Sequence, residues 1–178
     1  MLITTATAPP LYADQVLEIS TSGKGNRLIG SVIGNGEAKY ACAALGPDNR
    51  IYCAPLEAHR VLLITPEDHE VEEIGIDLGK EEEKYSCIAA APAGHMMYAA
   101  PRNARFILEV DTKRCYVREV GKDLGPVKRK FTAIVSGKPP EAAGVILYDV
   151  LWRLQDWEGP AVHLKEVELV RGVLLLRI

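Results

Sequence analysis

The stretch KYSCIAAAPAGHMMYAAPRNARFILEVD, Lys84–Asp111, nearly repeats KYACAALGPDNRIYCAPLEAHRVLLIT, Lys39–Thr65. Working outward from this pair, the chain repeats about every 45 residues, a period typical of solenoids and propellers. Ala13-Asp14-Gln15-Val16-Leu17-Glu18-Ile19 aligns with Ala58–Ile64 and with Ala104–Val110. Pro10, Pro55 and Pro101 recur, as do Gly30, Gly75 and Gly121, then Gly34, Gly79 and Gly125. A lysine followed by an aromatic residue opens each following unit: Lys39-Tyr40, Lys84-Tyr85 and Lys130-Phe131.

Turn chemistry divides the second unit into four short apolar segments, Tyr40–Leu45, Ile51–Pro55, Val61–Thr65 and Val71–Ile76. Gly46-Pro47-Asp48-Asn49 and Pro66-Glu67-Asp68-His69 carry the Gly, Pro and Asp/Asn signals of tight turns, with Leu56–Arg60 as the link between them. Segments this short and rich in Val, Ile, Tyr and Leu read as strands. Four strands per repeat of this length is the arithmetic of a β-propeller blade. The predicted fold is all-β, made of four-stranded antiparallel repeats.

The residues KYSCIAAAPAGHMMYAAP followed by NARFILEVD resemble the repeat of kelch-like and gluconolactonase-like (regucalcin-type) propellers, over about Ala6–Val135. The kelch Gly-Gly pair and the Trp-Asp ending of Trp-Asp repeats are missing. The resemblance implies blades; activity must come from the site, because one fold hosts many functions.

Units are expected at about 1–38, 39–83 and 84–129, with a further one opening at 130. The first supplies only the last three strands of a unit. From 136 to 178 the repeat gives way to a divergent tail. Pro139-Pro140 before and Gly159-Pro160 after frame a helix over 140–157, although Ile146, Tyr148, Val150, Trp152 and Leu154 equally make a strand face. Val162–Val170 and Val173–Ile178 read as a hairpin. Three and a fraction blades is fewer than propellers usually need. The expectation is a partial or small propeller, closed by its tail or assembled through its open edges.

A formal net charge of -3 over 178 residues argues against nucleic acid as a partner, and no apolar stretch is long enough for a membrane span. MLITTATAPPLYA lacks a basic lead, so a cytoplasmic or otherwise intracellular protein is expected. Cys42, Cys53, Cys87 and Cys115 form no CxxC pair and read as reduced structural thiols.

Residues recurring in every unit belong to the scaffold, whereas polar residues that vary at equivalent loop positions are free to meet a ligand. Tyr12 and Asp14, then Glu57 and His59, then Asn103 and Arg105 occupy the link between second and third strands. Asp14, Glu57, His59, Asn103 and Arg105 are therefore the predicted ligand-binding loop face, with no catalytic residue assigned. The gluconolactonase-like resemblance implies a divalent metal such as Ca2+ on oxygen ligands, for which Glu57 and Asn103 are the nominees and His59 a general base. His69 and His95 fall in other turns, and His163 lies in the tail. The expected function is a non-catalytic module for protein interaction or homo-oligomer assembly, with a metal-dependent lactonase-like hydrolase as the alternative.

Overall fold

The computed structural model describes residues 5–23, 25–34, 38–136, 166–170 and 173–177. Every regular element among them is a β-strand, in four antiparallel sheets. The first sheet holds β1 (Thr5–Ala8), β2 (Val16–Ser20) and β3 (Asn26–Ile29) in chain order. The second holds β4 (Ala44–Leu45), β5 (Ile51–Cys53), β6 (Val61–Thr65) and β7 (Glu70–Ile74), again in order. The third repeats this meander with β8 (Tyr85–Ala90), β9 (Met96–Pro101), β10 (Ile107–Asp111) and β11 (Tyr116–Val120).

In the fourth sheet, β12 (Phe131–Ser136) lies beside β14 (Val173–Arg177), which pairs with β13 (Glu166–Val170). The last strand of the chain, rather than the next one, therefore neighbours β12. The expected helix or strand over 140–157 and His163 lie outside the described residues.

The strands form where turn residues free the backbone to reverse. Asn49, His69 and Cys115 adopt left-handed φ values of 64°, 58° and 49° at hairpin ends. β4 is shorter than the Tyr40–Leu45 segment, with Tyr40 joined to Pro55 only by an isolated bridge. Where β8 buries Ile88, the equivalent residue before β4 is Ala43, which offers little side chain to pack on a pleated surface.

The third strands β6 and β10 are covered on both faces. Along β6, Leu62 and Ile64 pack with Val16, Ile29 and Ile33 of the first unit, while Val61 and Leu63 pack with Leu108, Val110 and Val117 of the third sheet. Along β9 and β10, Met97, Ala99, Leu108 and Val110 join the same cluster as Val61, and Tyr98, Ala100 and Ile107 meet Phe131 on the other side. The period of two thus builds a stack in which each middle sheet lies between two others.

Close approach of the sheets depends on glycine. Gly30 has φ 76°, and a Cβ there would lie 2.5 Å from Val71 Cβ; Gly75, at φ 81°, would meet Val117 Cβ at 2.4 Å. The fourth strands β3 and β7 each end on a glycine that receives a valine of the next sheet. Gly75→Ala is expected to lower stability by about 2–4 kcal/mol from the combined backbone and overpacking costs. Urea unfolding of this variant, and of Gly75→Ala with Val117→Ala, checks it: the second change should restore only the packing part.

Candidate functional site

The links between second and third strands meet the linkers between units along one edge of the sheets, and backbone hydrogen bonds weld them together. Lys39 N donates to Leu11 O, Leu56 N to Lys39 O, Lys84 N to Leu56 O, Arg102 N to Lys84 O and Lys130 N to Arg102 O. The ladder crosses from unit to unit without interruption, at 2.7–2.8 Å throughout.

The recurring lysines lock this edge. Lys84 is 1% exposed, and its Nζ donates to the carbonyls of Glu57, Gly79 and Glu81. Lys130 does the same with Asn103, Gly125 and Val127. Each lysine therefore closes a linker onto the preceding unit, and the buried ammonium is matched by backbone dipoles. Lys39 is equally buried; residues 35–37 of its linker lie outside the described residues.

The predicted ligand-face residues sit on this edge, each in its own unit. His59 Nδ1 lies 3.1 Å from Asp77 Oδ1, which also accepts from Gly79 N. Arg105 Nε donates to Asp123 Oδ1 at 3.0 Å, and Asp123 accepts from Gly125 N. These are the same staple in two units. The Gly79 N–H and then His59 hold the Asp77 carboxyl below its ordinary range, while Arg105 and then the Gly125 N–H do so for Asp123.

Asn103 uses Nδ2 on Glu82 O and Oδ1 on Arg129 N, fixing the third linker. Glu57 contributes its carbonyl to Lys84 and its N–H to Ala38 O. Asp14 contributes its carbonyl to Ile33 N, and its side chain is exposed. His59 and Arg105 thus direct their side chains at their own units' linkers, while Asn103 bridges the linker before its unit and the one after it. Among the described residues, no group of three or more His, Cys, Asp or Glu side chains is placed to hold a metal ion.

The more deeply charged sites lie elsewhere. Glu18 and Glu109, equivalent residues in the middle of third strands, are 4% and 2% exposed. Glu18 accepts from Arg27 Nε at 2.8 Å and lies 2.7 Å from His69 Nδ1 in the next sheet. Glu109 accepts from Arg118 Nε at 2.7 Å and from the Tyr98 hydroxyl at 2.8 Å. Cavities of about 570 Å³ and about 360 Å³ open beside them.

The second unit has Leu63 at this position, and Cys115 replaces His69 in the facing turn. There the Arg50 guanidinium crosses instead, donating to Thr112 O at 2.8 Å and reaching Cys115 Sγ at 3.5 Å. Sequence reasoning missed these glutamates; the signal was a carboxylate at the centre of VLEI and ILEV, with an arginine opposite on the fourth strand.

Nucleophilic chemistry finds little support in the thiols, all four of which are free. Burial pushes the Cys42 thiol up to about 12 and the Cys87 thiol up to about 11, and raises Cys53 as well. These groups stay protonated at neutral pH and are poor nucleophiles.

No protein-family model matches the chain, and no curated protein matches it. Among solved structures, it is similar to Kuenenia stuttgartiensis hydrazine synthase, with a TM-score of 0.53 at 16% identity. The match covers 75% of this chain and 36% of that chain, so the chain spans about a third of its solved neighbour. At this identity the likeness shows the fold alone.

Two outcomes follow from the charged groups. Lys84→Met leaves three carbonyls without their donor and is expected to cost about 3 kcal/mol or more, read by denaturant unfolding. Burial raises the Glu18 carboxyl, but hydrogen bonds from His69 and Arg27 outweigh it and leave it below the usual range. A lowered native pKa gives stability that is present above the ordinary glutamate value and lost as pH falls through the native one. Melting temperatures of wild type and Glu18→Gln should therefore differ most above the ordinary glutamate range and converge as the pH falls below it.

Proposed function

We propose that the chain is a β-propeller segment whose sheets are blades, acting as a non-catalytic module for protein interaction and subunit assembly. The order of two four-stranded meanders, each in register with its repeat, and the burial of third strands on both faces support the blade reading. The recurring lysines and aromatics then mark the inner end of each blade.

One observation carries the interaction reading. The cationic and amide side chains on the loop edge pair internally, while apolar side chains on the same loops face solvent. Tyr12 is 65% and Val32 67% exposed, and Leu11, Ile76 and Val127 are also exposed. Exposed apolar groups gathered on loops, rimmed by charge, suit a protein partner better than a small polar substrate.

The triple variant Tyr12→Ser, Val32→Ser, Ile76→Ser should elute earlier from a hydrophobic-interaction column with an unchanged melting temperature. It should also fail to retain proteins that bind the immobilised wild-type chain. Retention of the same set by the variant sinks the reading. Calcium or zinc at millimolar concentration is expected to leave the melting temperature unchanged; a rise would favour the metal-dependent hydrolase, because a ligand of the native state must stabilise it.

A further inference from the structure

In the second and third units, the aromatic residue of the Lys-aromatic pair lies across its own sheet and ends at the fourth strand. Tyr40 packs on Cys53 and Leu62, and its hydroxyl reaches Arg60 O and Glu73 Oε1, both at 3.1 Å. Tyr85 packs on Ala99 and Leu108, and its hydroxyl reaches Phe106 O at 3.2 Å and Glu119 Oε1 at 3.3 Å. Strand register makes Glu73 and Glu119 equivalent: they pair with Leu62 and Leu108 of the third strands.

In the first sheet the residue at that position is Leu28, paired with Leu17. This sheet has three strands among the described residues, and no first strand lies beside β1. Its corresponding face is open: Ile19 is 41% exposed, against 0% for the equivalent Ile64 and Val110, and Leu28 presents an apolar side chain that is 59% exposed. A leucine in place of the glutamate suits an aromatic without a hydroxyl. The first-strand aromatic of this kind is Phe131, on β12, one of only two phenylalanines in the chain.

Backbone geometry agrees. Leu56 N and Arg102 N donate to the carbonyls of the first-strand lysines Lys39 and Lys84. Leu11 stands at the matching place in the first unit, and the remaining first-strand lysine is Lys130, next to Phe131. The β13–β14 hairpin now lies against β12 in an order foreign to the other sheets.

We infer that β12 of one copy is the first strand of the β1–β3 sheet of a second copy, so that two chains close one ring by reciprocal exchange. This rests on the blade reading above. Phe131 of each chain lies over Leu17 and Leu28 of the other, and the C-terminal hairpin gives up the β12 edge to β1. Each chain then accounts for three four-stranded sheets and the pair for six, within the four to eight that propellers use. A twofold pair covers the first-sheet edge that is open among the described residues of one chain.

The test is the light-scattering mass of the full chain across a dilution series, together with Leu28→Glu and the double variant Leu28→Glu, Phe131→Tyr. The wild type is expected at about 39 kDa, twice the 19.5 kDa chain. Leu28→Glu, at an exposed position of the single chain, should keep its strand circular dichroism yet raise the dimer dissociation constant about tenfold or more, because it replaces an apolar contact with Phe131 by a carboxylate that finds no hydroxyl donor there. Adding Phe131→Tyr should recover the dimer by recreating the Tyr40–Glu73 arrangement.

A wild type at 19.5 kDa at every concentration overturns the inference, as does a dimer indifferent to Leu28→Glu or a double variant weaker than the single one. A mass that keeps rising with concentration overturns the closed pair. A monomeric wild type leaves the loop-face reading standing, since that is decided separately by Tyr12, Val32 and Ile76.

Discussion

A strand with apolar side chains on both faces must be covered on both faces, and the structure follows from that requirement. Val61-Leu62-Leu63-Ile64 has no polar side, so the second sheet is stable only between two others. Burying these four side chains removes about 1.5–3 kcal/mol each of unfavourable hydration. Among the described residues, nothing meets this requirement on the outer face of the first sheet, where Ile19 and Leu28 are exposed.

Within the stack, the interfaces are not interchangeable. The first and second sheets meet through the Glu18–His69 contact, the second and third through Leu63 beside Cys115. A buried carboxylate is tolerated only with partners in place, so Glu18 accepts a poor fit from fewer neighbours than Leu63 does. Repeats of nearly the same sequence can thereby hold a fixed order, since exchanging two sheets would leave Glu18 facing a thiol.

The candidate loop face shows how a variable position can serve an invariant purpose. His59 and Arg105 differ in sequence, which marks them as ligand candidates, yet both place a cation-capable group on an aspartate that also accepts from a glycine N–H. The equivalence becomes visible only once Asp77 and Asp123 are seen opposite them. Exposure, rather than variation, singles out Tyr12 and Val32, and a single sequence does not reveal which apolar loop residues lie outward.

The sequence by itself determined the strand content, the turns, the repeat period and the scaffold role of the Lys-aromatic pairs, because these depend on local propensity and on spacing that recurs along the chain. Tertiary structure alone decided what each lysine binds, since the carbonyls around Lys84 come from residues up to 27 positions away. It likewise decided the pairing of Glu18 with His69, 51 residues apart, and the placing of β14 beside β12. Such contacts depend on which sheets become neighbours, and that is fixed by packing over the whole stack rather than by any local stretch.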